Sequence, residues 1–215
     1  MHTSNGTKKT IIFDLDGTLI NVSERLYELH SDLSRKYKSK KFNKTIYLKL
    51  KRKGISEEEI MRDKLKPVQL SQYLRKRKSL IESKHYLQYD QLKPGVRTLL
   101  QRLSATSNLY LTTARSNGPG LKAQLKKIDI TKYFLAVIGS SSVDIRKNKL
   151  EQCIKLHKSR SYLIGDTQAD YQLAKILKIK CLLVCDGTRN KKYLNRLNPD
   201  AVFDRITSLD EYFNL

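Results

Sequence analysis

Asp14-Leu15-Asp16-Gly17-Thr18-Leu19, directly behind the apolar run Ile11-Ile12-Phe13, decides how this chain reads. A short apolar run with β-branched residues, ending in polar ones, is the pattern of a buried strand. Side chains alternate along a strand, so two acids at i and i+2 leave its end on the same side. Gly17 lets the backbone turn sharply behind them. Neighbouring carboxylates repel, and burial sharpens the repulsion, so such a pair persists only with a shared proton or a cation. A hard divalent cation such as Mg²⁺, which takes oxygen ligands, suits them best. The plain alternative is a strand end that carries two solvated acids.

Outward from this stretch, apolar strand candidates fall at 10–14, 108–113, 135–139, 161–165, 180–185 and 201–203. Amphipathic helical stretches fall at 95–104, 119–128, 148–158, 168–178 and 207–213. Strands alternating with helices predict an α/β fold, a Rossmann-like parallel sheet flanked by helices. Pro94-Gly95 and Asn117-Gly118-Pro119-Gly120 mark loops of that framework. Residues 20–93 break the alternation and read as helices over 23–37, 56–65 and 68–81. Ser56, followed by Glu57, Glu58 and Glu59, is a good helix start with acids in the first turn. The expected organisation is therefore a core domain of residues 1–20 and 90–215, with a smaller all-helical domain, residues 21–89, inserted after the first strand.

Three further stretches carry chemistry. Asn108 to Thr113 reads as a strand ending in Thr112 and Thr113, whose hydroxyls can donate to an anion. Lys147-Asn148-Lys149-Leu150-Glu151 opens an amphipathic stretch rich in cations. Ser161 to Ile164 reads as a buried strand leading into Gly165-Asp166-Thr167-Gln168-Ala169-Asp170. There the i, i+4 spacing on a helix brings the second carboxylate back toward the first. Asp166 and Thr167 are also good helix N-caps, and both readings can hold at once.

In this order the four stretches resemble the motifs of the haloacid dehalogenase-like hydrolase superfamily, DxDGT first and GDxxxD last. The resemblance is to its phosphatases with an inserted helical cap, phosphoglycolate phosphatases among them. It implies that Asp14 is the nucleophile, forming an aspartyl-phosphate, and that Asp16 is the acid and base; covalent catalysis of this kind splits one hard step into two easier ones. It implies that Thr113, with Thr112 as the neighbouring alternative, and Lys149, with Lys147 or Arg146 as alternatives, hold the phosphoryl group. It implies a Mg²⁺ held by Asp14, the backbone carbonyl of Asp16, Asp166 and Asp170, the last as a ligand or as support for one. The activity implied is Mg²⁺-dependent hydrolysis of a small phosphate monoester, phosphoglycolate- or nucleotide-like. The second acid of the first motif favours phosphoryl transfer over dehalogenation; a phosphomutase shares these motifs. The helical insert resembles a cap that excludes water and selects the substrate; the basic loop 51–54 between its helices reads either as an exposed turn or as the substrate-facing loop. Arg115 is expected on the surface, and Asp186-Gly187-Thr188 in a loop at the rim of the site.

Composition sets the outer bounds. The chain has 215 residues and a formal net charge of +22. Residues 20–93 hold 20 Lys and Arg against 9 Asp and Glu, so the insert carries +11, as much as the rest of the chain at nearly twice its length. Such a field steers anionic substrates toward a cleft. With Tyr27, Tyr37, Tyr47, Tyr73, Tyr86 and Tyr89 interleaved, the insert also suits a second function, nucleic-acid binding or removal of a terminal phosphate from a polynucleotide. An anionic small-molecule phosphate ester is the first expected partner and nucleic acid the second. There is no run of 18 apolar residues, and Met1 to Thr10 lack the apolar region of a secretory signal. Cys153, Cys181 and Cys185 lack metal-site spacing and read as reduced thiols. A cytoplasmic enzyme without membrane partners is expected.

Overall fold

The computed structural model describes residues 8–116, 118–154, 156–157 and 159–215. The absence of a secretory signal, which rests largely on residues 1–7, and the parts of the expected loop and helix that fall on residues 117, 155 and 158 lie outside the described residues. In chain order the elements are β1 Lys9–Asp14, β2 Ile20–Asn21, α1 Ser23–Lys36, α2 Lys44–Arg52, α3 Glu57–Met61, α4 Pro67–Leu80, α5 Lys84–Leu87 and β3 Gln91–Leu92. They continue as α6 Val96–Thr106, β4 Ser107–Thr113, α7 Pro119–Ile128, β5 Ala136–Gly139, α8 Val143–Cys153, β6 Ser161–Gly165 and α9 Gln168–Leu177. The chain closes with β7 Lys180–Val184, α10 Lys191–Asn195, β8 Ala201–Phe203 and α11 Leu209–Phe213.

Six strands form one parallel sheet in the order β5-β4-β1-β6-β7-β8. A parallel strand covered on both faces must be apolar on both, and β1 obeys this. Ile11 and Phe13 pack with Leu109, Leu111, Ile164 and Leu182 on one face. Ile12 packs with Leu163, Leu183 and Leu173 on the other. From β1 the chain crosses to β4 on one side, while β6 pairs on the other. The carboxyl end of β1 is therefore a topological switch point, where the loops diverge and leave a crevice for a ligand. Asp14 ends that strand.

One helix departs from its expected position and matters for the site. α8 starts at Val143, five residues before the expected 148, and ends at Cys153. Ser142 starts it: its hydroxyl accepts from the Ile145 amide at 3.3 Å and satisfies an otherwise orphaned donor. Arg146 thus falls in the first turn and is buried, while Lys149 falls mid-helix and is exposed.

Between β2 and β3, which pair antiparallel as a two-stranded stalk, lie α1 to α5. The sequence pattern did not announce α2, which Asn43 caps by accepting from the Ile46 amide at 2.9 Å. The helices enclose an apolar core of their own that includes Leu29, Leu33, Tyr47, Ile60, Met61 and Tyr73. At its centre Glu57 accepts hydrogen bonds from the Tyr47 hydroxyl at 2.8 Å and the Tyr73 hydroxyl at 2.7 Å, and His30 Nδ1 lies 3.0 Å away. Burial pushes the Glu57 carboxyl up, but the Arg77 charge and the His30 contact outweigh it, and its pKa falls to about 2. All six tyrosines of the insert belong to this core or pack against it, so they are not a row of exposed stacking platforms.

Leu163 lies fully buried in the middle of β6. Leu163→Ala is expected to lower the unfolding free energy by about 2–5 kcal/mol, from lost burial and the cavity left behind. Equilibrium denaturation measures it, and a loss under about 1 kcal/mol would contradict the packing described.

Candidate active site

Four loops bring the site together at the carboxyl edge of the sheet. Asp14, at the end of β1, is buried. The Thr18 hydroxyl donates to Asp14 Oδ2 at 3.0 Å and also lies 3.4 Å from Asp166 Oδ1. After β6, Asp170 in the first turn of α9 accepts from the amides of Asp166 at 3.2 Å and Thr167 at 3.0 Å, and from the Thr167 hydroxyl at 2.6 Å. Asp166 Oδ2 accepts from the Thr188 amide and, at 2.6 Å, from the Thr188 hydroxyl, both in the loop after β7. The approach is close enough to demand glycine at 17: its φ is +87°, and a Cβ there would run into the Asp166 carboxylate.

Asp14, Asp166 and Asp170 each present a carboxylate oxygen, and these oxygens lie within 4.8 Å of one another. Burial, and then repulsion from Asp170, Asp166 and Asp16, pushes the Asp14 pKa well above the ordinary carboxylate value. Burial and the Asp170 charge push Asp166 up to about 6, and burial raises Asp170. Three buried hard-oxygen groups that destabilise one another's charge fit a hard divalent cation.

Asp16 points elsewhere. Its carboxylate is held by Arg25 Nη2 from α1, and by Arg115 through Nη2 and, at 2.6 Å, Nε. Burial would raise its pKa, but the two guanidiniums outweigh it and hold the carboxyl below the usual range. Behind them lies Asp90, 3.1 Å from Arg25 Nε and 2.8 Å from Arg115 Nη2, with the Gln124 amide donating to it at 2.7 Å. Arg115, expected on the surface, is 4 % exposed because this pair of acids holds it inside.

Both threonines of the second motif are buried at the end of β4. Thr113 Oγ1 accepts from the Arg115 amide at 3.3 Å. Thr112 lies opposite Asp14 in the strand register, and its hydroxyl has no partner among the described residues. Lys149 is not brought to the cluster: the early start of α8 leaves it on the solvent side, and Lys147 pairs with Glu151 at 3.2 Å near the surface. Arg146 takes the inward position, 2 % exposed, where its charge lowers the Asp170 pKa and its Nε lacks a partner among the described residues.

Sequence reasoning missed Lys93, Thr18 and Arg25. Lys93 Nζ donates to the Gly17 carbonyl and to Asp186 Oδ1, the latter at 2.7 Å, and its charge offsets that of Asp166. Its signal was its place just before Pro94-Gly95, where the chain re-enters the core; Thr18 lay inside the first motif itself; Arg25 had no signal. Of the expected loop 51–54, Lys51 and Arg52 form the last turn of α2 and only residues 53–54 turn out of the helix; the segment docks on the loop after β7. Arg52 Nη2 donates to the Cys185 carbonyl at 2.7 Å, the Asn190 amide to the Arg52 carbonyl at 2.8 Å, and Arg189 Nη1 to the Lys51 carbonyl at 3.2 Å.

Residues 11–184 match the family model of the haloacid dehalogenase-like hydrolases, and the chain belongs to that family. It resembles a haloacid dehalogenase-like hydrolase of known structure from Streptococcus pneumoniae, with 25 % identity, a TM-score of 0.79 and coverage of 96 % of this chain and 98 % of that one. A predicted phosphoglycolate phosphatase from Haemophilus somnus shares the fold, with 17 % identity, a TM-score of 0.76 and coverage of 98 % and 100 %. A phosphoglycolate phosphatase of Rhodobacter capsulatus is 32 % identical over 123 residues, 55 % of this chain and 55 % of that protein, so the match spans about half of each. No helix among the described residues is long and apolar enough to cross a membrane.

The raised pKa values carry a sign. From about pH 4 upward, the folded cluster still binds protons that the unfolded chain has released, so its contribution to stability falls as pH rises, through about 6 for Asp166. Adding a divalent cation is therefore expected to raise the melting temperature more at about pH 7.5 than at about pH 5, with Asp166→Asn losing most of the difference. Scanning calorimetry checks this, and a cation effect equal at both pH values would refute it.

Proposed function

We propose that this chain is a Mg²⁺-dependent phosphomonoesterase that works through an aspartyl-phosphate on Asp14. The observation that carries the reading is the buried triplet Asp14, Asp166 and Asp170, converging at the switch point of the sheet, with residues 51–54 of the insert docked on the neighbouring loop after β7. An Asp14 oxygen attacks phosphorus, the ester oxygen leaves with a proton from Asp16, and Asp16 then takes a proton from the water that cleaves the acyl-phosphate. Asp14, Asp166 and Asp170 would hold the Mg²⁺, which when bound would offset their charge and that of the phosphoryl oxygens.

The chain's own residues do the remaining work. Arg146, in the place expected for Lys149, supplies a buried positive charge beside Asp170. The free hydroxyl of Thr112, or that of Thr113, donates to a phosphoryl oxygen. Loop 51–54 excludes water, which strengthens each of these interactions. The net charge of +22 steers anions to the cleft. The substrate is a small phosphorylated metabolite, as the name of the Rhodobacter capsulatus relative suggests.

Phosphate release over a panel of phosphorylated metabolites, with Mg²⁺ and with chelator, tests the reading. Activity is expected only with Mg²⁺, and Asp14→Asn is expected to lose at least ~10³-fold. Arg146→Ala is expected to lose about 10²-fold, as when one charge-stabilising donor is removed, and Lys149→Ala to stay within about twofold. Release that survives in Asp14→Asn would exclude the aspartyl-phosphate route, and equal losses in the two cation variants would exclude the role given to Arg146.

A further inference from the structure

The guanidiniums of Arg25 and Arg115 converge on one carboxylate, that of Asp16, with the geometry by which arginine forks recognise carboxylates. Both arginines are 4 % exposed, whereas Asp16 is 26 % exposed and stands on the open side of the cluster. Asp90, with no exposed side-chain surface, grips both arginines from the other side and fixes their direction. Two positive charges thus face two negative ones, and the cluster is neutral.

That neutrality conflicts with the work assigned to Asp16. Asp16 Oδ1 accepts from both arginines and Oδ2 from Arg115, so to exchange a proton with an ester oxygen the carboxyl gives up some of these contacts. The cluster then keeps two guanidiniums and only Asp90, leaving one buried positive charge without a counterion, which is strongly unfavourable. Another anion of carboxylate size in the vacated place would restore the balance.

Resting on the phosphomonoesterase reading above, we propose that Arg25 and Arg115 form a carboxylate subsite, filled in this structure by Asp16, and that the substrate is a phosphate monoester with a carboxylate near the ester carbon. Entry of that carboxylate releases Asp16 toward the reacting oxygen. Arg25 lies on α1 of the helical insert and Arg115 on the loop after β4 of the core, so the subsite is complete only when the two units are docked. The substrate carboxylate then bridges them, and one contact both selects the substrate and favours the closed arrangement.

Steady-state kinetics with Mg²⁺ on 2-phosphoglycolate and on its neutral counterpart 2-hydroxyethyl phosphate test this, in wild type, Arg25→Gln and Arg25→Lys. Wild type is expected to prefer phosphoglycolate by at least about 10²-fold in kcat/KM, because a site built for a polar group rejects an analogue that lacks it. Arg25→Gln is expected to abolish that preference through a fall in the phosphoglycolate value. Arg25→Lys, which keeps the charge but loses the fork, should show the same selective loss in smaller measure and guards against a folding defect. Equal use of both esters by wild type, or a parallel fall on both in the variants, would overturn the subsite while leaving the phosphatase standing. So would hydrolysis confined to nucleoside monophosphates. Failure to release phosphate from any ester with Mg²⁺ would instead sink the phosphatase reading, and the subsite with it.

Discussion

Asp14, Asp166 and Asp170 bring three carboxylates into a space that excludes water. Each raises the cost of ionising its neighbours, and burial raises it further. The remainder of the core is arranged around that repulsion. The amides of Asp166 and Thr167 stabilise Asp170, the loop after β7 stabilises Asp166 through Thr188, and Thr18 donates to Asp14. Lys93 and Arg146 add positive charge without forming an ion pair with any of the three. Donors therefore orient the acids, while most of their charge is left without a counterion among the described residues.

The parallel sheet makes this convergence cheap. Four loops leave the same edge of β1, β4, β6 and β7, so residues distant in sequence need only short excursions to meet. Thr18 and Asp166 are 148 positions apart and still approach to 3.4 Å. The apolar faces built by Ile11, Phe13, Ile12 and Leu163 hold the strands in register. A register slip of one residue would turn Asp14 to the opposite face of the sheet.

The core and three of its acids were legible because they follow short-range rules. Alternating apolar strands gave the sheet, and acids at strand ends marked Asp14 and Asp166. The i, i+4 spacing placed Asp170. Lys149 was misplaced because the start of α8 is set by one serine, Ser142, whose capping hydrogen bond outweighs the cationic pattern downstream. Lys93 and Arg25 stayed hidden for a different reason. Among 43 Lys and Arg, burial is what distinguishes them, and burial arises from contacts 76 and 65 positions away, at Gly17 and Asp90. The tyrosines of the insert misled in the opposite direction, since their spacing among lysines matches a binding surface while their rings fill a core.

Asp16 shows how the two units are coupled. The first motif places it two residues past Asp14, yet its carboxylate is fixed by one arginine of the core and one of the insert. A single side chain of the first motif is thus bonded to both the core and the insert. If the insert lifts away, Arg25 leaves, and Asp16 and Asp90 face Arg115 alone with an excess of negative charge. With Asp16 turned in and the insert docked, two guanidiniums face two carboxylates and the buried charges balance.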